Sequence, residues 1–283
     1  MPAKRPLCMD EDGLEAGPKT ELTARSEAEP SVTDSIPYLF EKLAAALDAR
    51  LERRERFVRA SRDLTMTAKK AIFDLQRQKK LRQYSEENQS DSRWAKTEET
   101  FGRLRGLVQS GIMAELDSTP EFSDSYWQYH AVFSPGIQEY VESITFYHWL
   151  RYERMLSFEE VQQQLAPFPL AVSDYVLGLC DTSGEIMRAA VQNSALGDQE
   201  ISFEASEFLC LLFRECSGVG AVARRAWPSS LQQELERKLV TMGESLRKVQ
   251  DVCYRICLRR AERDSLGFFG DDQLDTTMES LPD

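Results

Sequence analysis

Two short segments of this 283-residue chain carry acidic side chains where a buried helix ordinarily carries none. The first reads Gly136-Ile-Gln-Glu139-Tyr-Val-Glu142-Ser-Ile-Thr-Phe146-Tyr-His148-Trp149. At about 100° per residue, Ile137, Tyr140, Val141, Ile144 and Tyr147 share one face. Glu139 and Glu142 share the opposite face, which continues into Phe146 and Trp149. A helix apolar on two sides is buried on two sides, so the two glutamates point into a second interface or a cavity. The second segment reads Ser173-Asp174-Tyr-Val-Leu-Gly178-Leu-Cys-Asp181-Thr-Ser-Gly184-Glu185-Ile-Met-Arg188. Tyr175, Val176, Leu179, Ile186, Met187 and Ala190 form its apolar face, and Asp174, Gly178, Asp181, Glu185 and Arg188 line the other. Asp181 and Glu185 are four apart, a spacing at which like charges repel. Gly178 and Gly184 each cost roughly 1 kcal/mol in a helix interior, which makes sense where something approaches the backbone closely.

Glu139, Glu142, Asp181 and Glu185 together would make an oxygen-rich pocket. Carboxylate donors suit Mg²⁺ or Mn²⁺, and two such ions about 4 Å apart can activate water and stabilise the leaving oxygen of a phosphodiester. The competing reading is a solvated acidic face, with Asp174 capping its helix and Glu185 paired to Arg188. The spacing alone leaves both open.

Other chemistries have less support. A di-iron bundle needs Glu-x-x-His on two helices, and the chain contains no such motif. The six cysteines include no Cys-x-x-Cys pair, and only His130 and His148 could supply imidazole, so a structural zinc site is not expected. Cys253 and Cys257 read as core residues. Neither histidine has an evident Ser or Cys partner, and no glycine loop is built to cradle phosphate.

The formal charge of −12 argues against a surface that binds nucleic acid everywhere. Its distribution is uneven: residues 50–82 hold 12 bases and four acids, a local +8. Arg50, Arg53, Arg54, Arg56, Arg59 and Arg62 lead that stretch. They read either as a solvated face with pairs such as Glu55–Arg59 or as a stripe that holds an RNA backbone.

These groups need elements to position them. Proline is absent from 38 to 119, from 170 to 227 and from 229 to 281, and glycine from 18 to 101. Such runs predict long helices: one from Ser35 with Pro37 in its first turn, then about 94–116, 122–155 with a break or kink at Pro135-Gly136, a short one from Ser157, about 173–194, 202–216, and a last one from Trp227-Pro228-Ser229 to about 263. Ser157 with Glu160 forms a capping box, and Gly197-Asp198 makes a turn. Residues 83–93 read as a loop, 1–34 as a disordered tail and 264–283 as an acidic tail whose Phe268 and Phe269 could dock. The predicted fold is all-α, a single bundle of about seven helices over 35–263. No apolar run predicts a secretory signal or a membrane span, so a reducing, cytoplasmic setting is expected.

Several stretches in this order resemble the translin family, and most closely its acid-bearing members: Phe57-Val-Arg-Ala-Ser-Arg-Asp-Leu-Thr, Gly136 to Phe146, Asp174 to Arg188, and Leu246-Arg-Lys-Val-Gln-Asp-Val-Cys-Tyr. The resemblance implies a translin-type fold and a hetero-oligomer with translin that encloses RNA. It further implies a Mg²⁺-dependent endoribonuclease acting on single-stranded RNA, including passenger-strand removal in small-RNA loading. Under it, Glu139, Glu142 and Asp181 are catalytic carboxylates that bind the metal, with Glu185 as the fourth ligand. The alternative is a non-catalytic scaffold that stabilises translin; a further one is a structural metal site. Only Lys4 and Arg5 stand where the family carries a strongly basic nuclear-localisation stretch, so nuclear import is less expected than a cytoplasmic location.

Overall fold

The computed structural model describes residues 32–77, 92–118, 122–196 and 199–268. The helices are α1 (Val32–Arg77), α2 (Ser92–Leu107), α3 (Ala114–Asp117), α4 (Phe122–Tyr152), α5 (Phe158–Leu165), α6 (Val172–Ala195), α7 (Glu200–Ala226) and α8 (Ser229–Phe268). A π-helical turn, Val108–Met113, joins α2 to α3 through residues in helical conformation, so the three make one rod. Among the described residues there is no strand. Counting that rod once, the all-α reading and its number of helices hold.

The chain divides into two units, Met1–Asp48 and Ala49–Asp283. In the first, Ile36, Leu39, Phe40, Leu43 and Leu47 form an exposed apolar stripe along α1. In the second, α6 is the central element, packed on α4, α7 and α8, while α7 and α8 pack on each other. One buried cluster, with Phe57, Phe101, Phe133, Tyr140, Phe146 and Phe168 fully enclosed, lies around α4. A second, with Leu177, Leu179, Leu212, Leu235 and Met242, lies among α6, α7 and α8. Each such side chain contributes roughly 1.5–3 kcal/mol by leaving water. The later half of α1 joins the first cluster through Leu64, Ala68 and Leu75 and through Phe57, whose ring stacks 4.9 Å from that of Tyr129.

Several boundaries differ from the sequence reading. Helix α1 begins at Val32, so residues 32–34 are helical and Pro37 lies inside the helix. Ser92 and Arg93 open α2 rather than closing a loop, and the remainder of that loop, like Gly197-Asp198, falls outside the described residues. Helix α4 passes through Pro135 without a break. Pro135 and Ala131, whose carbonyl loses its donor, are both exposed, so water can satisfy that carbonyl. Helix α7 runs to Ala226, ten residues past the expected end. The helix continues through Gly218 and Gly220, and a Cβ on Gly220 would lie 3.3 Å from Leu239 Cδ1, so this glycine admits α8 at close range. Residues 264–268 continue α8, and Phe269 lies beyond the described residues. The capping box is present: Ser157 Oγ accepts from the Glu160 amide at 3.2 Å, and Glu160 Oε2 from the Ser157 amide at 2.8 Å.

Candidate functional site

The contact between α4 and α6 positions the acids. Gly178 faces α4 so closely that a Cβ there would lie 2.7 Å from Val141 Cβ and 2.8 Å from the Gln138 carbonyl oxygen. The two backbones can approach because Gly178 has no side chain, and Thr145 and Thr182 link their hydroxyls at 2.7 Å across the seam. Beside this seam lies a cavity of about 1100 Å³, and Glu139, Glu142, Asp181 and Glu185 all line it. Helices α1 and α8 complete the wall with Lys69, Gln76 and Lys238. Gly184 also lines the cavity, but nothing lies within 4 Å of a Cβ built there. Its absence of a side chain leaves space in the cavity rather than admitting a helix.

Three of the four acids have partners. Lys69 Nζ lies 3.1 Å from Glu139 Oε1, and Lys238 Nζ 2.5 Å from Asp181 Oδ2. Both Glu185 oxygens accept from Arg188 Nη1 at 2.8 Å, and Glu185 Oε2 also accepts from Gln76 Nε2 at 2.8 Å. The Glu142 carboxylate has no ion-pair or hydrogen-bond partner among the described residues. Burial, reinforced by Asp181, Glu139 and Glu185, raises its pKa from 4.5 to about 8. Burial also raises Glu139, with Lys69 pulling the other way, and the hydrogen bond to Glu139 raises Lys69. Among the described residues, no three His, Cys, Asp or Glu side chains are grouped closely enough to hold a metal ion. The acids thus share one cavity, but two ammonium groups compensate Glu139 and Asp181.

The donor set fits a hard divalent cation in kind. All four groups are carboxylates, and Glu142 is half-buried with no paired cation among the described residues, a situation that is costly for an ionised group. Glu139, Glu142 and Asp181 would hold such an ion, with Glu185 beside them.

Lys238 ends a longer polar chain. Its ammonium also donates to Gln138 Oε1 at 2.8 Å and to the Leu177 carbonyl at 3.3 Å. Gln138 Nε2 donates to Ser134 Oγ at 3.0 Å, and Ser134 Oγ to Asp174 Oδ1 at 2.6 Å. His130 Nε2 meets Asp174 Oδ2 at 2.9 Å. Asp174 is fully buried, so it is neither a helix cap nor part of a solvated acidic face. His130 is accordingly a core residue held by a carboxylate. His148, lowered to about 4 by burial, is also absent from the cavity wall. Cys257 is exposed and Cys253 half-buried, so only the latter packs against the core as expected.

Arg50, Arg54, Arg56, Arg59 and Arg62 are exposed on α1 and Arg53 is half-buried; none lines the cavity. Arg56 is paired with Glu115 at 2.8 Å. At about 1.5 Å per residue, the stripe begins roughly 28 Å and ends roughly 10 Å along the helix from Lys69. The α1 cations at the cavity itself are Lys69 and Arg77. In the sequence both stand only as bases of the 50–82 stretch, outside the candidate site. Their spacing of eight, with Gln76 between them, was the available signal for one shared face. Lys238 gave no comparable signal, because its partners lie 57 and 100 residues away in the chain.

The Translin family profile matches residues 52–260. The Translin-associated protein X of Mus musculus is 27% identical, with 84% of this chain and 84% of that protein covered. The Translin-associated protein X homolog of Schizosaccharomyces pombe is 31% identical, covering 75% of this chain and 84% of its own. Among solved structures, the AfC3PO–duplex RNA complex superimposes with a TM-score of 0.58 at 15% identity, covering 78% of this chain and 98% of that one. Apo-NeC3PO gives 0.54 at 18% identity, covering 80% and 98%. The structural likenesses establish the fold.

Proposed function

The chain belongs to the translin family, and from that premise we propose that it is the metal-dependent, RNA-cleaving subunit of a hetero-oligomer with translin. The observation that carries the reading is Glu142, a half-buried carboxylate with no side-chain partner among the described residues, flanked by Glu139, Asp181 and Glu185 in one cavity. Glu139, Glu142 and Asp181 would hold Mg²⁺ or Mn²⁺, and Glu185, fixed by Arg188 and Gln76, would orient water or add a fourth oxygen. Such an ion supplies Lewis acidity toward a phosphodiester. The chain's own cations do the rest. Lys69, whose side chain is 64% exposed, can exchange Glu139 for a substrate phosphate. The arginines from Arg50 to Arg62 hold the RNA backbone leading to the cavity. The structure of AfC3PO with duplex RNA supports RNA as the ligand class, and a small-RNA passenger strand in the cytoplasm is the substrate and setting this reading favours. The exposed stripe from Ile36 to Leu47 suits a helix of the partner.

One observation favours a second reading. Lys69 and Lys238 already compensate two of the acids, and no metal-sized grouping exists among the described residues. A non-catalytic scaffold that stabilises translin would look the same. Cleavage of single-stranded RNA by the assembled complex separates the two. Nuclease activity requires Mg²⁺ and disappears in Glu139→Ala and Asp181→Ala, whereas a scaffold keeps every function in both variants.

A further inference from the structure

The cavity is larger than its acids need. A volume of about 1100 Å³ slightly exceeds the roughly 300–1,000 Å³ of a typical organic-ligand site. Beyond Glu185 its wall changes character. Phe73 stands there 59% exposed, although Ile72 and Leu75 beside it in sequence are 6% and 1% exposed. It lies four residues past Lys69 on the same face of α1, so a chain whose phosphate meets Lys69 continues toward this ring. The Arg77 guanidinium carbon lies 5.4 Å from the Phe73 ring centroid. From α6, Arg188 uses only Nη1 to bind Glu185, and its side chain is 55% exposed. At the junction of the two ends, Gln76 donates to Glu185, while the Gln76 Oε1 atom is buried and has no hydrogen-bond partner among the described residues.

We propose that this end of the cavity is a nucleotide subsite, in which the Phe73 ring stacks on one unpaired RNA base while Arg77 and Arg188 hold the phosphates beside it. An exposed aromatic face flanked by guanidinium groups is the recurring solution for an unstacked base on a charged backbone. Gln76 lines the cavity, and turning its side chain outward would present this acceptor, unpaired among the described residues, to a ribose hydroxyl. The base must be unpaired, because a paired base within a duplex has its faces covered by its neighbours. The subsite therefore selects single-stranded RNA one nucleotide from the carboxylates, and it rests on the nuclease reading above.

The test uses the full chain assembled with translin and two probes of equal length: oligouridylate and the same ribose-phosphate chain lacking bases. Phe73→Ala raises KM for oligouridylate about tenfold, the usual loss for one stacked base, with kcat unchanged. It leaves the affinity for the abasic chain as it was, and Phe73→Trp restores KM. Arg77→Gln lowers the slope of log affinity against log salt by about 0.7, the value for one phosphate contact on a single strand. Phe73 is exposed, so the melting temperature of Phe73→Ala stays near that of the parent. Equal effects of Phe73→Ala on both probes, or a change under twofold on oligouridylate, overturn the subsite while wild-type cleavage keeps the nuclease reading. A wild-type assembly that neither binds nor cleaves oligouridylate overturns both.

Discussion

Glu142→Gln isolates the electrostatic cost that the cavity stores. Burial and three neighbouring acids raise the pKa of Glu142 from 4.5 to about 8. Between those two values the folded chain keeps a proton that the unfolded chain has released. The unfolded state then binds fewer protons, so stability falls as pH rises through this window. At about 1.4 kcal/mol per pH unit, the interval from 4.5 to about 8 amounts to about 5 kcal/mol in full, of which about 4 is reached at its upper end, where Glu142 is half ionised. Glutamine has nearly the same shape and no charge to desolvate. Metal-free Glu142→Gln should therefore nearly match the parent at about pH 5 and exceed it by about 4 kcal/mol at about pH 8. At roughly 2–4 °C per kcal/mol for a domain of this size, that is about 10 °C in melting temperature. Saturating Mg²⁺ should reverse the order at the higher pH, because the ion compensates only the carboxylate, and the variant should not cleave RNA. Thermal melts of both proteins across this pH range, in chelator and in Mg²⁺, measure all of this. Superimposable pH profiles in chelator would refute the reasoning, since Glu142 would then carry no uncompensated charge.

Gly178→Ala forces a Cβ to 2.7 Å from Val141 Cβ; it should cost about 1–3 kcal/mol in thermal denaturation and reduce cleavage by parting α4 from α6. Gly184→Ala meets nothing within 4 Å and should instead stabilise the chain by about 1 kcal/mol in the same denaturation experiment. Asp174→Ala removes the partner of His130 Nε2 and the acceptor of the Ser134 hydroxyl in the core and should lower stability by about 3 kcal/mol, read by denaturant unfolding. Lys69→Met removes an exposed pair with Glu139, so stability should change by less than about 1 kcal/mol. Mn²⁺ binding measured by calorimetry without RNA should tighten in that variant, because a competing cation has gone; unchanged affinity would count against the site.

The sequence disclosed what a helix states about itself. Glu139 and Glu142 were legible because α4 is apolar on two sides, and Phe146 and Trp149 beside them are buried as that pattern requires. The local signals of Ser157 and Glu160 likewise found the start of α5. What stayed hidden depends on a neighbour. Gly178 and Gly184 look alike in the sequence, yet only the first admits another backbone. Asp174 lies on the stripe of Asp181 and Glu185, but a serine and a histidine from α4 hold it in the core, away from the cavity wall. Gly220 and Pro135 carry breaker chemistry that packing and solvent neutralise. Lys238 was invisible as a site residue because α8 carries many bases and only the packing of α8 on α6 selects one. The role of Phe73 was hidden for the reverse reason: a helical phenylalanine reads as core unless its wall faces open space.

Convergence of Glu139, Glu142, Asp181 and Glu185 on a divalent cation is what the proposed function stands on. Diffraction from crystals of the translin complex soaked in Mn²⁺, with the anomalous signal of manganese, tests it directly. A peak is expected in the cavity beside the α4–α6 seam, within bonding distance of Glu142 and at least two of the other three acids, with Lys69 or Lys238 turned away. A cavity without a peak, with both lysines still on Glu139 and Asp181 in crystals that cleave RNA, would contradict it.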